Sequence, residues 1–234
     1  MIVFWVIKPQ KEFNPYFVVV DRVLDFIDGT DPETNDPTRH YLVKWCSLPY
    51  DECTWELESD VDKAKIDLFN SLNARKKNKP CERPPISQWR KQEHPQEFKN
   101  MCTLRQYQVE GFSWLLFNWY QARNCILADE IGLGKTIQSI TFCQEIYDTG
   151  KKGPYLILVP LSTVGNWIRE FETWTDLNAV VYHGSAHSRS MIQQYEMYQS
   201  DKKGMLRKDN YRFDALITTY EMIVADCPEV KNIN

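Results

Sequence analysis

The chain has 234 residues, 43% of them hydrophobic and 13% aromatic, which is enough to bury a core in one large or two modest domains. Its formal net charge of -4 argues against a uniformly basic surface that would coat nucleic acid. The seven cysteines are scattered with no C-x-x-C pair, a pattern typical of a reducing compartment.

The charge is unevenly distributed along the chain. Residues 16–72 carry 13 acidic and 5 basic residues, whereas residues 75–99 carry 8 basic and 3 acidic ones. Such asymmetry often marks separate units with separate partners. The opening apolar run of seven residues is too short to span a bilayer and has no features of a signal peptide. We therefore expect a soluble, intracellular protein without membrane association.

Residues 1–15 resemble no known domain. Residues 16–73 predict a small α+β domain. Three β-rich stretches, "FVVVDRVLDFI", "RHYLVKWC" and "CTWEL", predict a three-strand sheet. The following "DVDKAKIDLFNSL" predicts a helix with Asp60 as its N-cap. The predicted buried face of that helix consists of Val61, Ala64, Leu68 and Leu72.

Residues 74–100 predict an extended basic linker, because prolines and charges dominate this segment. It opens with a basic tract made of Arg75, Lys76, Lys77 and Lys79. Two interpretations remain open for this tract. Its side chains could contact DNA phosphates, or they could belong to a solvated linker.

Residues 101–234 alternate predicted helices with short apolar strands, which indicates βαβ units on a parallel sheet covered by helices. The predicted strands include "NCILA", "YLILVP", "AVVYHG" and "DALITTY". An aromatic run made of Trp114, Phe117, Trp119 and Tyr120 lies in the first helix. Core packing is favoured for these rings over a surface on which nucleic-acid bases stack.

A candidate phosphate-binding loop lies between the strand "NCILA" and the helix that begins at "GKT". In such a loop, glycines let backbone N–H groups face phosphate oxygens, a lysine neutralises them, and a hydroxyl helps to hold magnesium. Gly132, Gly134, Lys135 and Thr136 meet these needs. The usual pattern has glycine where this chain has Asp129, so the pattern alone contains one mismatch.

The variant "LADEIGLGKT" resembles the nucleotide-binding motif of SNF2-type chromatin-remodelling ATPases, which carry an acidic pair, here Asp129 and Glu130, before the glycines. The resemblance implies that ATP and magnesium bind at residues 129–136, Leu133 included, with Thr136 near the metal. Upstream, "LRQYQVEGFSWLL" resembles the adenine-recognising segment of the same family, which implies that Gln108 contacts the adenine.

Two further segments, "VPLSTVGNW" and "ITTYEM", resemble helicase-type motifs of the first motor lobe. The resemblance implies that Ser162, Asn166, Thr218 and Thr219 lie near the phosphodiester backbone of DNA. Hydroxyl and amide groups are common phosphate partners that carry no base information. Together the motifs predict a partial α/β, RecA-like P-loop lobe.

The first domain resembles a chromodomain, and "KWCSLPY" is most similar to the second chromodomain of Kismet-like chromodomain-helicase-DNA-binding remodellers. This implies nucleosomal DNA and histones as partners, and a nuclear location. Methyl-lysine capture needs an aromatic cage. Trp45 matches one cage position, and Leu48 matches another. The remaining position is matched by Val18, or by Phe17 or Tyr16 if the register shifts, and this incomplete cage favours Trp45 and Trp55 as packing residues.

The leading interpretation is a fragment of an ATP-dependent nucleosome remodeller. In the family, an aspartate-glutamate-alanine-histidine motif and a second motor lobe complete the hydrolytic site, and neither is found before Asn234. We therefore expect this chain alone not to turn over ATP. Two alternatives remain open: a non-catalytic chromatin-binding module with a vestigial ATPase segment, and an inactive truncation product.

Overall fold

The computed structural model describes residues 15–30, 35–75, 82–92, 94, 96–200, 205–231 and 233. The chain divides into two compact units. The first comprises Met1–Ala74 together with Gly184–Met191, and the second comprises Arg75–His183 together with Ile192–Asn234. Within the described ranges, no helix is long and apolar enough to cross a membrane.

The first unit contains an antiparallel sheet of three strands in the order β1-β2-β3. Its strands are β1 (Val20–Thr30), β2 (Pro37–Trp45) and β3 (Thr54–Leu57). Short 3-10 turns at Pro15–Val18, Tyr50–Glu52 and Glu58–Asp60 precede or connect these elements. The three-strand sheet predicted from the sequence is confirmed.

Helix α1 (Lys63–Asn73) follows the sheet, and its N-cap lies two residues later than predicted. The predicted N-cap, Asp60, lies in the preceding 3-10 turn, so that prediction is wrong. Asp62 is the N-cap, because its Oδ1 accepts the N–H of Ala64 at 2.9 Å. This bond satisfies one of the amides that a helix leaves unpaired at its start.

The buried face of α1 is rotated from the predicted one and consists of Ile66, Phe69 and Leu72. Leu68 is 50% exposed, so its predicted burial is wrong, as is that of Ala64. Phe69 makes edge contacts with Tyr41 and Phe26, with ring centroids 6.4 and 6.3 Å apart. Phe69 is 3% exposed, so its ring packs α1 against the sheet.

Residues 184–191 belong to the first unit, and two of their hydroxyls contact the turn after β2. Ser188 Oγ donates to Asp51 Oδ1 at 2.6 Å, and Ser185 Oγ donates to Asp51 Oδ2 at 2.7 Å. The hydrogen bonds from Ser188 and then Ser185 lower the pKa of the Asp51 carboxyl below its usual range.

The second unit contains a parallel sheet in the order β4-β8-β5, formed by β4 (Tyr155–Leu158), β5 (Ala179–Tyr182) and β8 (Ala215–Thr218). Its long helices are α2 (Gln106–Tyr120), α3 (Lys135–Asp148) and α4 (Leu161–Trp174). Ile140 of α3 and Phe171 of α4 share a buried cluster with Ile217 of β8. The predicted α/β arrangement is confirmed.

The second unit also contains shorter elements, including a hairpin that the sequence analysis does not predict. The hairpin pairs β6 (Tyr198–Ser200) with β7 (Leu206–Tyr211), and a π-helical turn at Gln193–Met197 precedes it. Helix α5 (Ala186–Ile192) comes before that turn, and all of it except Ile192 belongs to the first unit. The described chain ends with α6 (Tyr220–Ala225) and α7 (Cys227–Val230).

The segment 124–128, "NCILA", is not a strand, so this prediction is wrong. Within the described parts of the chain, none of the assigned sheets includes it. Ile126 is 85% exposed as a result. An apolar stretch becomes a strand only where a neighbouring strand accepts its backbone hydrogen bonds, and periodicity cannot reveal that neighbour.

We expect Phe69→Ala to lower the free energy of unfolding of the first unit by about 3–5 kcal/mol, because it removes a buried ring from the contact between α1 and the sheet. Leu68→Ala is the matched control, since Leu68 is 50% exposed and its truncation should change stability by less than about 0.5 kcal/mol. Native-state hydrogen exchange of the β1 and β2 amides measures both. Equal losses for the two variants would contradict the observed helix face.

Candidate nucleotide-binding site

Gln108, in the first turn of α2, links that helix to the glycine-rich loop. Its side chain is 6% exposed. Gln108 Oε1 accepts the N–H of Arg105 at 2.9 Å, and Nε2 donates to the carbonyl oxygen of Leu133 at 3.1 Å. The first bond is one half of a capping box, which fixes the side chain at the start of the helix. The second bond holds the loop against α2.

The loop depends on two glycines with backbone angles that L side chains rarely adopt. Gly132 has φ +92° and Gly134 has φ +83°. A Cβ at Gly134 would also lie within 2.4 Å of Gln108 Nε2, whereas a Cβ at Gly132 would meet nothing within 4 Å. Gly132 is therefore needed for its backbone angle alone, and Gly134 is needed for its angle and for space.

Lys135 and Thr136 are the first two residues of α3, which places them at the amino end of a 14-residue helix. Lys135 Nζ donates to the carbonyl oxygens of Asp129 at 2.7 Å and Glu130 at 2.8 Å. The lysine ammonium thus bridges the start of its own loop. Amides in the first turn of a helix have no partner within the helix and attract anions.

One buried polar side chain beside the loop is absent from the predicted site. Gln138 lies on α3 and is fully buried at 0% exposure. A sequence signal was available, because Gln138 lies three positions before Thr141, a residue on the same side of α3 that is also buried. A glutamine on the apolar face of an amphipathic helix is unusual and indicates a specific partner.

The four residues predicted to contact DNA lie after two neighbouring strands. Ser162 and Asn166 are exposed on the first turns of α4, which follows β4. Thr218 and Thr219 lie at the end of β8 and are 0% and 2% exposed. Parallel strands β4 and β8 pair at Leu158 and Thr218, so both groups occupy the carboxyl edge of one sheet.

The two threonine hydroxyls already have partners within the protein. Thr218 Oγ1 donates to the carbonyl oxygen of Tyr182 at 2.8 Å. Thr219 is the N-cap of α6, and its hydrogen bond contributes to the lowered pKa of Glu221, after the larger effect of the Glu221 backbone amide. Of the four predicted residues, Ser162 and Asn166 are the accessible ones.

In the first unit, Trp45 lies at the end of β2 and is half-buried against the core cluster. Its Nε1 donates to Thr54 Oγ1 at 2.9 Å. Trp55, grouped with it as a packing residue, is 46% exposed, so that interpretation is wrong for Trp55. It lies on β3, an edge strand of the sheet on which three of the four residues are exposed.

The position of Arg75 fits neither interpretation of the basic tract. Its guanidinium Nη1 donates to Asp214 Oδ2 at 2.7 Å, and the Asp214 side chain is only 5% exposed. The same carboxylate oxygen accepts the N–H of Asn178 at 2.8 Å. Arg75 is therefore engaged in a partly buried ion pair. The other members of the tract, residues 76–79, lie outside the described residues.

The aromatic run on α2 is only partly buried. Trp114 is 42% exposed, so its predicted core position is wrong, and the core side of the helix is formed by Val109, Phe112 and Leu116. Phe117 packs against Trp89 with ring centroids 5.0 Å apart. Residue 89 lies within the segment predicted as a linker, and it packs along the helix.

Comparison with known proteins shows the family to which the chain belongs. The SNF2-related domain family matches residues 107–234, and the chromo (chromatin organisation modifier) domain family matches residues 18–72. The first match covers more than half of the chain, and the chain belongs to the SNF2-related domain family. The predicted combination of a chromodomain with an SNF2-type segment is confirmed.

Individual proteins of known name are similar to nearly the whole of this chain. The chain is 56% identical over 227 residues to chromodomain-helicase-DNA-binding protein 8 of Xenopus tropicalis, covering 97% of this chain and 10% of that protein. It is 58% identical over 222 residues to chromodomain-helicase-DNA-binding protein 7 of Homo sapiens, covering 94% of this chain and 7% of that protein. The chain therefore spans a tenth or less of the length of these relatives.

Among solved structures, the chain is similar to the SWI2/SNF2 ATPase core of Sulfolobus solfataricus in complex with double-stranded DNA. The two are 29% identical, the match covers 58% of this chain and 25% of that chain, and the TM-score is 0.46. A second structure, of the SWI2/SNF2 ATPase core domain of the same organism, is 29% identical over 57% of this chain and 24% of that chain, with a TM-score of 0.42.

Gly134→Ala should destabilise the second unit more than Gly132→Ala. Both substitutions impose a left-handed backbone on alanine, at about 1–2 kcal/mol each. Only the methyl group at position 134 would also collide with the amide of Gln108 and displace it from Leu133. Urea denaturation measures the difference, and equal losses of stability would show that the Gln108 contact does not hold the loop.

Proposed function

We propose that residues 106–148 form the nucleotide site of an ATP-dependent chromatin remodeller of the chromodomain-helicase-DNA-binding type, within its Kismet-like subfamily. The observation that carries the proposal is the glycine loop that delivers Lys135 and Thr136 to the amino end of α3. Lys135 contacts the phosphates, Thr136 contacts magnesium, and Gln108 contacts the adenine. Asp129, Glu130, Leu133 and the two glycines complete the binding loop.

The residues present fit ATP and magnesium. A nucleoside triphosphate needs several N–H donors and a cation. The first turn of α3 supplies the donors, and the Lys135 ammonium supplies the cation. Magnesium prefers oxygen ligands, and the Thr136 hydroxyl is such a ligand. When bound, magnesium neutralises charge on the phosphates. The protein's own residues orient the triphosphate by hydrogen bonds and charge.

The SNF2-related family supports ATP hydrolysis as the activity of the complete enzyme. The relatives named above are chromodomain-helicase-DNA-binding proteins, and the solved relative is an ATPase core bound to DNA. For the described chain, the proposal covers nucleotide binding and contact with nucleosomal DNA. The location that follows from this function is the nucleus.

DNA contact is proposed at the carboxyl edge of the sheet in the second unit. Ser162 and Asn166 are exposed on one side of α4, four residues apart, and can donate to successive phosphate oxygens. Thr218 and Thr219 stabilise this edge, because their hydroxyls form hydrogen bonds with residues of β5 and α6. These contacts position DNA without reading its sequence.

The chromodomain, proposed as residues 16–73, supplies the histone contact. Trp45 is the aromatic residue at the proposed position, and its indole N–H is engaged by Thr54. One aromatic wall gives weak capture of a methylated lysine. Residues 74–100 connect this domain to the nucleotide-binding lobe, proposed as residues 101–234.

We expect Lys135→Ala to weaken binding of magnesium-ATP by about 10- to 150-fold, since loss of a charge-assisted hydrogen bond costs about 1.5–3 kcal/mol. Lys151→Ala is the control, because Lys151 is an exposed lysine of the same unit away from the loop. Fluorescence titration with a labelled ATP measures both affinities.

The same variant separates the two functional classes. Nucleosome binding that is indifferent to ATP and to Lys135→Ala would favour a non-catalytic chromatin-binding module over the proposed ATPase. Nucleosome binding that changes with ATP in the unmodified protein, and no longer changes in Lys135→Ala, supports the remodeller.

Replacing both Ser162 and Asn166 by alanine should weaken binding to duplex DNA by about 30-fold, at about 1 kcal/mol for each of the two hydrogen bonds lost. The dependence of affinity on salt should not change, because neither side chain carries a charge that releases counterions. Thr173→Ala, an exposed hydroxyl at the other end of α4, is the control. Unchanged affinity in the double variant would exclude this edge as the DNA contact.

A further inference from the structure

The buried amide of Gln138 points at the first residue of the nucleotide loop. Its Nε2 donates to Asp129 Oδ2 at 3.0 Å, across nine positions of the chain. Asp129 is the residue that departs from the usual glycine pattern. Its carboxylate therefore has a dedicated donor, and that donor comes from the interior of α3.

The carbonyl oxygen of the same amide lies where α2 and α3 pack closely against each other. A Cβ at Gly111, in the middle of α2, would lie 2.0 Å from Gln138 Oε1. Glycine inside a helix costs about 1 kcal/mol relative to alanine, so its presence indicates a compensating contact. Only glycine leaves room for the Gln138 carbonyl, which lies against the backbone of α2.

This packing decides which way the amide faces. Gln138 Oε1 has no hydrogen-bond partner among the described residues, so the hydrogen bond to Asp129 accounts for the polar contact of this buried group. A buried amide without any hydrogen bond would cost several kcal/mol. The bond to Asp129 is therefore the interaction that makes a glutamine tolerable at this position.

The main chain of Asp129 links this bond to the lysine. The carbonyl oxygen of Asp129 accepts Lys135 Nζ at 2.7 Å, while its carboxylate accepts Gln138 Nε2. Fixing the side chain thus fixes the carbonyl group on which the ammonium rests. It also gives a donor to a negative charge at the base of a loop that binds anions.

We propose that Gln138 is a positioning residue of the nucleotide site, which acts through Asp129 and depends on Gly111 for its place. The proposal rests on the proposed nucleotide-binding function of this loop. Gln138 sets the geometry of the loop before nucleotide binds, and so it controls affinity for the triphosphate without contacting it.

The pairing of Gln138 with Asp129 can be tested by moving the carboxylate to position 138 and the amide to position 129. Gln138→Glu places a second carboxylate against Asp129 and removes the donor, so affinity for labelled magnesium-ATP should fall by about tenfold or more. Adding Asp129→Asn restores one donor and one acceptor with the direction of the bond reversed. The double variant should return to within about threefold of the unmodified protein.

Gln144→Glu is the matched control on the same helix. Gln144 Nε2 donates to Asp148 Oδ2 at 2.9 Å, a glutamine-aspartate bond of the same kind away from the loop. Its substitution should leave nucleotide affinity unchanged. Circular dichroism confirms folding of each variant. If Gln138→Glu does not fold, Gln138→Asn combined with Asp129→Glu moves one methylene between the partners and provides the same test.

Rescue by the double variant, with an inert Gln144→Glu, supports the positioning role. Absence of rescue in a folded double variant, or an equal loss in Gln144→Glu, overturns it in favour of simple packing. If the unmodified protein binds no nucleotide, the proposed function fails, and hydrogen exchange of amides 129–134 then decides this inference. Faster exchange in Gln138→Glu that is reversed in the double variant supports it, and unchanged exchange overturns it.

Discussion

Two buried glutamines hold the loop at residues 129–134 from opposite ends. Gln108 of α2 donates to the carbonyl of Leu133, and Gln138 of α3 donates to the carboxylate of Asp129. The segment before the loop is in none of the sheets among the described residues, so β pairing does not shape the loop there. Buried amides are costly unless hydrogen-bonded, and this cost makes both contacts specific.

These contacts require α2 and α3 to pack closely, and glycines permit that approach. Gly111 leaves space for Gln138, and Gly134 leaves space for Gln108. From the loop, α3 continues into the core, where Ile140 packs in the same cluster as β4, β8 and α4 residues. The glycine-rich loop and the proposed DNA-binding edge are therefore attached to one packed core, through side chains that cannot shift independently.

Much of the architecture follows from patterns within the chain. Alternation and apolar runs predict the three-strand sheet, the long helices and the parallel strands, and all of these are present except the strand predicted at "NCILA". The errors arise where two local solutions compete. Aspartate is a good cap residue at either position 60 or position 62, and in the structure Asp62 caps α1 while Asp60 lies in the preceding turn. "NCILA" has the composition of a strand, but a strand also needs a partner that the segment itself cannot specify.

The sequence by itself determined the chemistry available to this protein: a glycine loop followed by lysine and threonine, an acidic pair before it, and the order of the motifs around it. Those features are local, because a few adjacent residues specify each of them. The tertiary structure alone decided that Gln138 meets Asp129 beside Gly111, that Arg75 pairs with Asp214, and that Trp114 is exposed. Such contacts join residues far apart in sequence or depend on which side of a helix packs, and periodicity records only that a side chain is apolar or polar.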